Sequence, residues 1–360
     1  MQAGSDTSSQ INDQAFERST DPSETALQGV REGMAKMTAK AWWVARDRIF
    51  AHHVSLNFPD SLSDLAKVVI PDGNCPPHLQ HSLTAEFESS VATAWKNSLD
   101  EAGRARTNST SSSGSNCIHN TIPSSAEVSL PRAAYHTACS LRMGTLKMPE
   151  RRCVCGDTLT TDHALSCKKL RGRYARHDAL RNAIRDMMVA AGYPVQTEVQ
   201  ISADDAKRMD LVVYLGTTQL WVDVSVLNTC APSYLGKRNA LRDRERHKTS
   251  KYAREAKKAK AQFIPAIIST YGELGNSFAA LLKRIATKAM NTHPCALTRE
   301  PEKWVAAYKL QLMHRIAAVL AYSNHLVLEE ARLRTASIRF NSYCLYRGLK
   351  RYQGPVIEVY

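Results

Sequence analysis

Four soft metal donors fall within fifteen residues of the chain: Cys153, Cys155, His163 and Cys167. Zinc takes such donors in a tetrahedron. Gly156 allows the tight turn demanded by two cysteines with a single residue between them. His163 and Cys167, four apart, share one face if the stretch is helical. With all four positions filled by protein, the zinc would be structural and would have no coordination site open to substrate. A second group is acidic. Asp210 opens the apolar run 211–215, and Asp223 lies between Val222 and Val224 inside the run 220–227. Taken singly, Asp210 would cap a turn and Asp223 would face solvent. An acid in an apolar strand costs desolvation unless it is paired or binds a cation. Two acids on neighbouring strands can hold a hard cation such as Mg²⁺ through oxygen. Such an ion activates water and neutralises charge at phosphorus, which is the chemistry of phosphodiester hydrolysis. Glu198 is a candidate third carboxylate, and Lys248, Lys251 and Tyr252 are candidate partners for the developing charge.

The aspartates need adjacent strands, and Gly216-Thr217-Thr218 between them reads as the turn of a hairpin. Residues 195–201 and 263–268 supply two further strands. The stretch 237–260 carries eleven Lys/Arg against three Asp/Glu and no proline, which predicts a solvent-facing helix. Upstream, 129–143 and 170–191 read as helices, the second with a stripe of Leu180, Ile184, Met187 and Met188 that Gly192-Tyr193-Pro194 ends. Ser277 is placed to cap a helix through Ala289. Val305, Tyr308, Leu312, Ile316 and Val319 mark one face of a long helix over 302–331. The predicted organisation is a disordered tail 1–28, a helical segment 29–100 and a Ser/Thr-rich flexible linker 101–128. A helix plus Cys/His knuckle at 129–170 follows, then a core at 171–291. A C-terminal helix with a basic, aromatic tail occupies 302–360.

The formal net charge is +14, from 48 Lys/Arg and 34 Asp/Glu, which implies an anionic partner, nucleic acid ahead of a membrane surface. Arg151, Arg152, Lys168, Lys169, Arg171 and Arg173 surround the Cys/His group, and Lys237 and Arg238 open the basic run; these are candidate phosphate contacts. No run of about 20 apolar residues is present, which excludes a membrane-spanning helix. The N-terminus lacks a basic-then-apolar signal segment, so the expectation is an intracellular protein whose nine cysteines are reduced.

With both groups in view, residues 130–290 resemble the C-terminal region of certain non-long-terminal-repeat retrotransposon proteins. There a Cys-Cys-His-Cys zinc knuckle precedes a restriction-like endonuclease of the PD-(D/E)XK class. Cys153, Cys155, His163 and Cys167 would fill the knuckle, and Arg176-His177-Asp178 stands where the family has a basic-His-Asn motif. Met209-Asp210 and Asp223, with twelve residues between the acids, match the family's Pro-Asp, spacer and second Asp. Lys251-Tyr252 match its downstream Lys and Tyr, with Lys248 a near alternative. Phe263-Ile264-Pro265 and Thr270-Tyr271-Gly272 look like its closing strand and turn. The resemblance implies an α/β, PD-(D/E)XK restriction-endonuclease-like core with a preceding zinc knuckle and helical flanking segments. It also implies a Mg²⁺-dependent endonuclease acting in the nucleus on double-stranded DNA, with structured RNA a second partner. In it His177 would belong to the site and Arg176 would contact nucleic acid. The departures are Met209 for Pro, Asp178 for Asn, the tighter cysteine pair and Val224-Ser225-Val226 where a lysine is expected. No Tyr/Phe-x-Asp-Asp stretch marks a reverse transcriptase. A catalytically inactive nucleic-acid-binding relic and a structural or protein-interaction protein are the alternative functions.

Overall fold

The computed structural model describes residues 79–201, 207–237, 239–292 and 300–334. The expected disordered tail, most of the first helical segment, Arg238 and the basic, aromatic stretch beyond Arg334 lie outside the described residues. The chain divides into two units, Met1–Ser98 and Leu99–Tyr360. In the first, α1 spans Leu79–Ser98.

The second unit is built on a mixed sheet of four strands, β1 (Val195–Gln200), β2 (Arg208–Leu215), β3 (Thr218–Leu227) and β4 (Ala261–Ser269), in spatial order β1-β2-β3-β4. The first three form an antiparallel meander, and β4 returns parallel to β3 through the basic helix α7 (Ala240–Lys258). Strand alternation sorts the side chains. Leu211, Val213, Leu220, Val222 and Val224 face one layer, made by α6 (Gly172–Ala190), α8 (Asn276–Thr292) and α9 (Pro301–Leu333). Val212 and Trp221 face the other, where Tyr252 and Ala256 of α7 cover them. The apolar stripe expected on α6 is the stripe it buries, with Leu180, Ile184, Met187 and Met188 all fully inside.

The Ser/Thr-rich stretch expected to be a flexible linker is instead ordered as α2 (Glu101–Thr110) and α3 (Ser113–Asn120). Asp100 caps α2 by accepting from Gly103 N at 2.7 Å, and Ser112 caps α3. Small residues here serve close packing. Ser109 Oγ donates to Ser269 Oγ at 2.8 Å in the interior, and a Cβ on Gly114 would stand 2.7 Å from the Gly272 carbonyl. A composition that signals disorder when exposed thus becomes a tight joint when it meets the end of β4.

α4 (Arg132–Met143), the knuckle helix α5 (Thr161–Ser166) and α9 pack on the same unit, so neither the knuckle nor the C-terminal helix is a detached module. Ser277 does not cap α8; its N–H donates to Glu245 Oε1 of α7 at 2.8 Å. Gly275 makes room for that carboxylate, since a Cβ there would lie 2.5 Å from the same oxygen.

Candidate functional site

The Cys/His group closes on itself. A two-stranded turn, bridged at Arg152 and Thr158, carries Cys153 and Cys155, with Gly156 at φ 100° where an L side chain would be strained. Thr160 caps α5 by accepting from His163 N, and α5 presents His163 on the turn before Cys167. The four ligand atoms of Cys153, Cys155, His163 and Cys167 all lie within 4.8 Å of one another, the single such group of three or more among the described residues. Cys153 Sγ and Cys167 Sγ are 3.8 Å apart. A zinc tetrahedron with Zn–S of about 2.3 Å has S···S edges of about 3.8 Å, so this pair already has the required spacing. Cys155 Sγ is 3.1 Å from His163 Nε2, and the other ring nitrogen, Nδ1, lies 3.8 Å from the exposed Asp157 carboxylate, beyond hydrogen-bond distance. The Cys155 thiol is pushed up to about 12, first by desolvation and further by its cysteine neighbours, against a backbone hydrogen bond at Asp157 that lowers it. A Cys₃His cluster consistent with a structural zinc site is therefore present.

Asp210 and Asp223 sit where the sheet opens. The β2–β3 ladder runs to the pair Leu211–Val222 and goes no further. Beyond it β2 pairs with β1 and β3 with β4. The next residue on each strand is one of the two aspartates. In place of a ladder bond, Asp210 Oδ2 accepts from Val224 N at 2.6 Å, which holds that carboxylate against β3 beside Asp223. Because the strands part here, both helical layers reach the acids. From α6, His177 Nε2 lies 3.2 Å from Asp210 Oδ1. From α7, Lys248 Nζ donates to Asp223 Oδ1 at 3.0 Å and stands 2.7 Å from Oδ2, which gains charge contact but no aligned hydrogen bond. Tyr252, also from α7, is buried against Phe263 with ring centroids 5.0 Å apart. Burial raises the Tyr252 pKa far above the phenol range, helped by the charge of Asp223, a hydrogen bond to it and the charge of Asp210. One hydroxyl thus feels both carboxylates.

Burial lowers the His177 pKa, but the hydrogen bond to and charge of Asp210, with Asp178, outweigh it, and the net shift is upward from 6.5. A raised folded-state value stabilises the fold fully below the unfolded histidine value, and that contribution is lost as pH rises through the folded value. Without added Mg²⁺, the wild-type denaturation midpoint is expected to fall relative to His177→Gln as pH rises above about 6.5. Parallel pH profiles for the two proteins would remove the His177–Asp210 ion pair from the account.

Several expected site residues are elsewhere. Lys251 is exposed and lies over the outer face of the Tyr252 ring, 5.0 Å from its centroid, so Lys248, one helical turn earlier, is the lysine that meets the acids. Glu198 stands opposite Asp210 in the β1–β2 register but adopts φ 54°, and its half-exposed carboxylate pairs with Arg181 of α6. It completes no three-carboxylate cage.

The expected phosphate contacts divide in the same way. Arg176 cannot be one. It is buried, donating to Asn324 Oδ1 at 2.8 Å and to the Leu165 carbonyl at 2.9 Å, and desolvation lowers its pKa to about 9. Arg151 donates to the carbonyls of Ala331 and Arg332, capping the end of α9. Arg152, Lys168, Lys169, Arg171 and Lys237 are exposed, and Arg173 is half-buried over the exposed Tyr174 ring at 5.1 Å. Residues that position the site were missed on α9 and after β3. Glu330 accepts from the backbone N–H of Arg171 and Gly172 at the start of α6, and Asn228 Nδ2 donates to the Asp162 carbonyl of the knuckle at 3.0 Å. The available signal was polar residues at core-facing helix positions, Asn324 and Glu330 among them.

No protein-family model matches the chain, and no curated protein matches it in sequence. Among the described residues, no helix is long and apolar enough to cross a membrane.

Proposed function

We propose that this chain is a metal-dependent DNA endonuclease of the PD-(D/E)XK class, retrotransposon-derived, that nicks chromosomal DNA in the nucleus. One observation carries the reading. A helix–three-strand–helix–strand order sets two aspartates at the point where the central strands part, with a lysine and a buried tyrosine from the crossover helix against them. The donor set fits a hard cation, since both acids offer oxygen and Asp223 Oδ2 is buried without an aligned donor. Asp210 and Asp223 would hold Mg²⁺, which supplies an activated water and charge neutralisation at phosphorus. Lys248 brings a fixed positive charge to the same carboxylate edge, suited to a non-bridging phosphate oxygen. Tyr252 keeps its proton and acts as a hydrogen-bond donor, and His177 orients Asp210. Cys153, Cys155, His163 and Cys167 would hold a structural Zn²⁺. The exposed Arg152, Lys168, Lys169 and Arg171 suit the phosphates of duplex DNA or structured RNA.

A second reading has its own support: Lys248 already neutralises Asp223 with the protein's own cation, as a binding module without cleavage would. Supercoiled plasmid with Mg²⁺ separates the two. Nicking that disappears in Asp210→Ala and Asp223→Asn, and when Mg²⁺ is left out, is the expected result. Salt-sensitive binding with no nicking would instead mean an inactive nucleic-acid-binding relic. Weak, salt-independent binding would mean a protein-interaction role.

A further inference from the structure

We infer that Arg244 is a phosphate-binding residue of the acid site, engaging the phosphodiester next to the one held at Asp210 and Asp223; this rests on the nuclease reading. α7 runs antiparallel to β3, and the two have matching periods. Four helical residues advance about 6 Å, and two strand residues about 6.6 Å. Each fourth residue of α7 therefore meets each second residue of β3. Arg244 reaches Ser225, Lys248 reaches Asp223, and Tyr252 packs in the cluster of Trp221. Arg244 and Lys248 thus stand one step apart along the same open edge.

Lys248 has a carboxylate and Arg244 has none. The half-buried Arg244 Nε makes one long contact, 3.4 Å to the neutral Ser225 hydroxyl, and no ion pair with any described residue. The acids beside it are engaged elsewhere. Asp243 pairs with Arg246 across the exposed side of the helix, and Glu245 is buried, accepting from Ser277 N. A guanidinium with a forked set of donors and no carboxylate suits an acceptor whose two oxygens share a negative charge, which along a nucleic-acid strand is the pair of non-bridging oxygens of the neighbouring phosphodiester.

The test measures binding of the zinc-loaded, full-length protein to a duplex oligonucleotide without added Mg²⁺ across a salt series, with Mg²⁺-dependent nicking assayed separately. Arg244→Gln keeps a hydrogen-bonding side chain but no charge. It is expected to reduce the slope of log K against log salt by about 1. Affinity should fall about tenfold at low salt, the size of one charge-assisted contact. Arg244→Lys should keep the wild-type slope. An unchanged slope in Arg244→Gln overturns the inference even if wild-type nicks DNA. A changed slope in a wild-type background that never nicks supports the contact and sinks the nuclease reading alone. Absence of measurable binding by wild-type overturns the inference, and absence of nicking as well overturns both.

Discussion

Stripping metal from the Cys153, Cys155, His163 and Cys167 cluster is expected to unfold residues 151–170 while the four-stranded sheet stays folded. The apolar support of this segment is thin. Leu159, Leu165 and Leu170 pack with Leu141 and with Val327, Leu328 and Ala331 of α9, and the buried thiols of Cys153 and Cys167 are part of the same cluster. Structural zinc contributes on the order of 10 kcal/mol in comparable small sites, more than three leucines can replace. The ligands must shed protons, and with the Cys155 thiol held near 12, binding should strengthen as pH rises. Hydrogen exchange before and after chelation reads the outcome by segment. Protection should vanish over 151–170 and weaken at the start of α6, whose Arg176 is tied to the Leu165 carbonyl. It should persist in β2, β3 and β4. Unchanged protection over 151–170 after complete zinc removal would mean that packing alone holds the knuckle.

Asp223→Ala is expected to cost about 3–5 kcal/mol of stability, because it leaves the Lys248 ammonium buried without a partner. The two side chains are only 8% and 14% exposed, so solvent cannot substitute for the lost charge. Removing both members should cost far less, and Asp223→Leu with Lys248→Met is expected within about 1–2 kcal/mol of wild-type. Chemical denaturation of the two singles and the double gives the coupling directly. If Asp223→Ala loses under about 1 kcal/mol, the pair behaves as a solvated surface contact and the buried geometry is wrong. The same result bears on activity: a destabilised Asp223→Ala would stop nicking for a trivial reason. Asp223→Asn, which keeps shape and hydrogen bonding, is therefore the better probe of metal binding.

Local patterns determined a good deal of this protein. Donor type and spacing in the stretch from Cys153 to Cys167 were enough to define the cluster, since ligands so close in sequence need only a turn and a short helix to meet. The alternating strands and the stripe of α6 were legible for a similar reason, because burial on one face imposes a period. Tertiary structure decided what periodicity cannot. Lys248 and Lys251 look alike along the chain, and three residues of helix rotation aim one at Asp223 and the other at solvent. Arg176 has the composition of a phosphate contact, yet Asn324, far along the chain, makes it an internal clamp. The stretch 101–120 is polar by every local measure, and it is ordered because its small residues meet the Ser269–Gly272 turn at close range. At Asp210 and Asp223 the sequence by itself determined the identity of the acids and their twelve-residue spacing. Only the parting of β2 from β3 after Leu211–Val222 opened them to helices on both layers, because a ladder's end depends on which neighbours β1 and β4 take up.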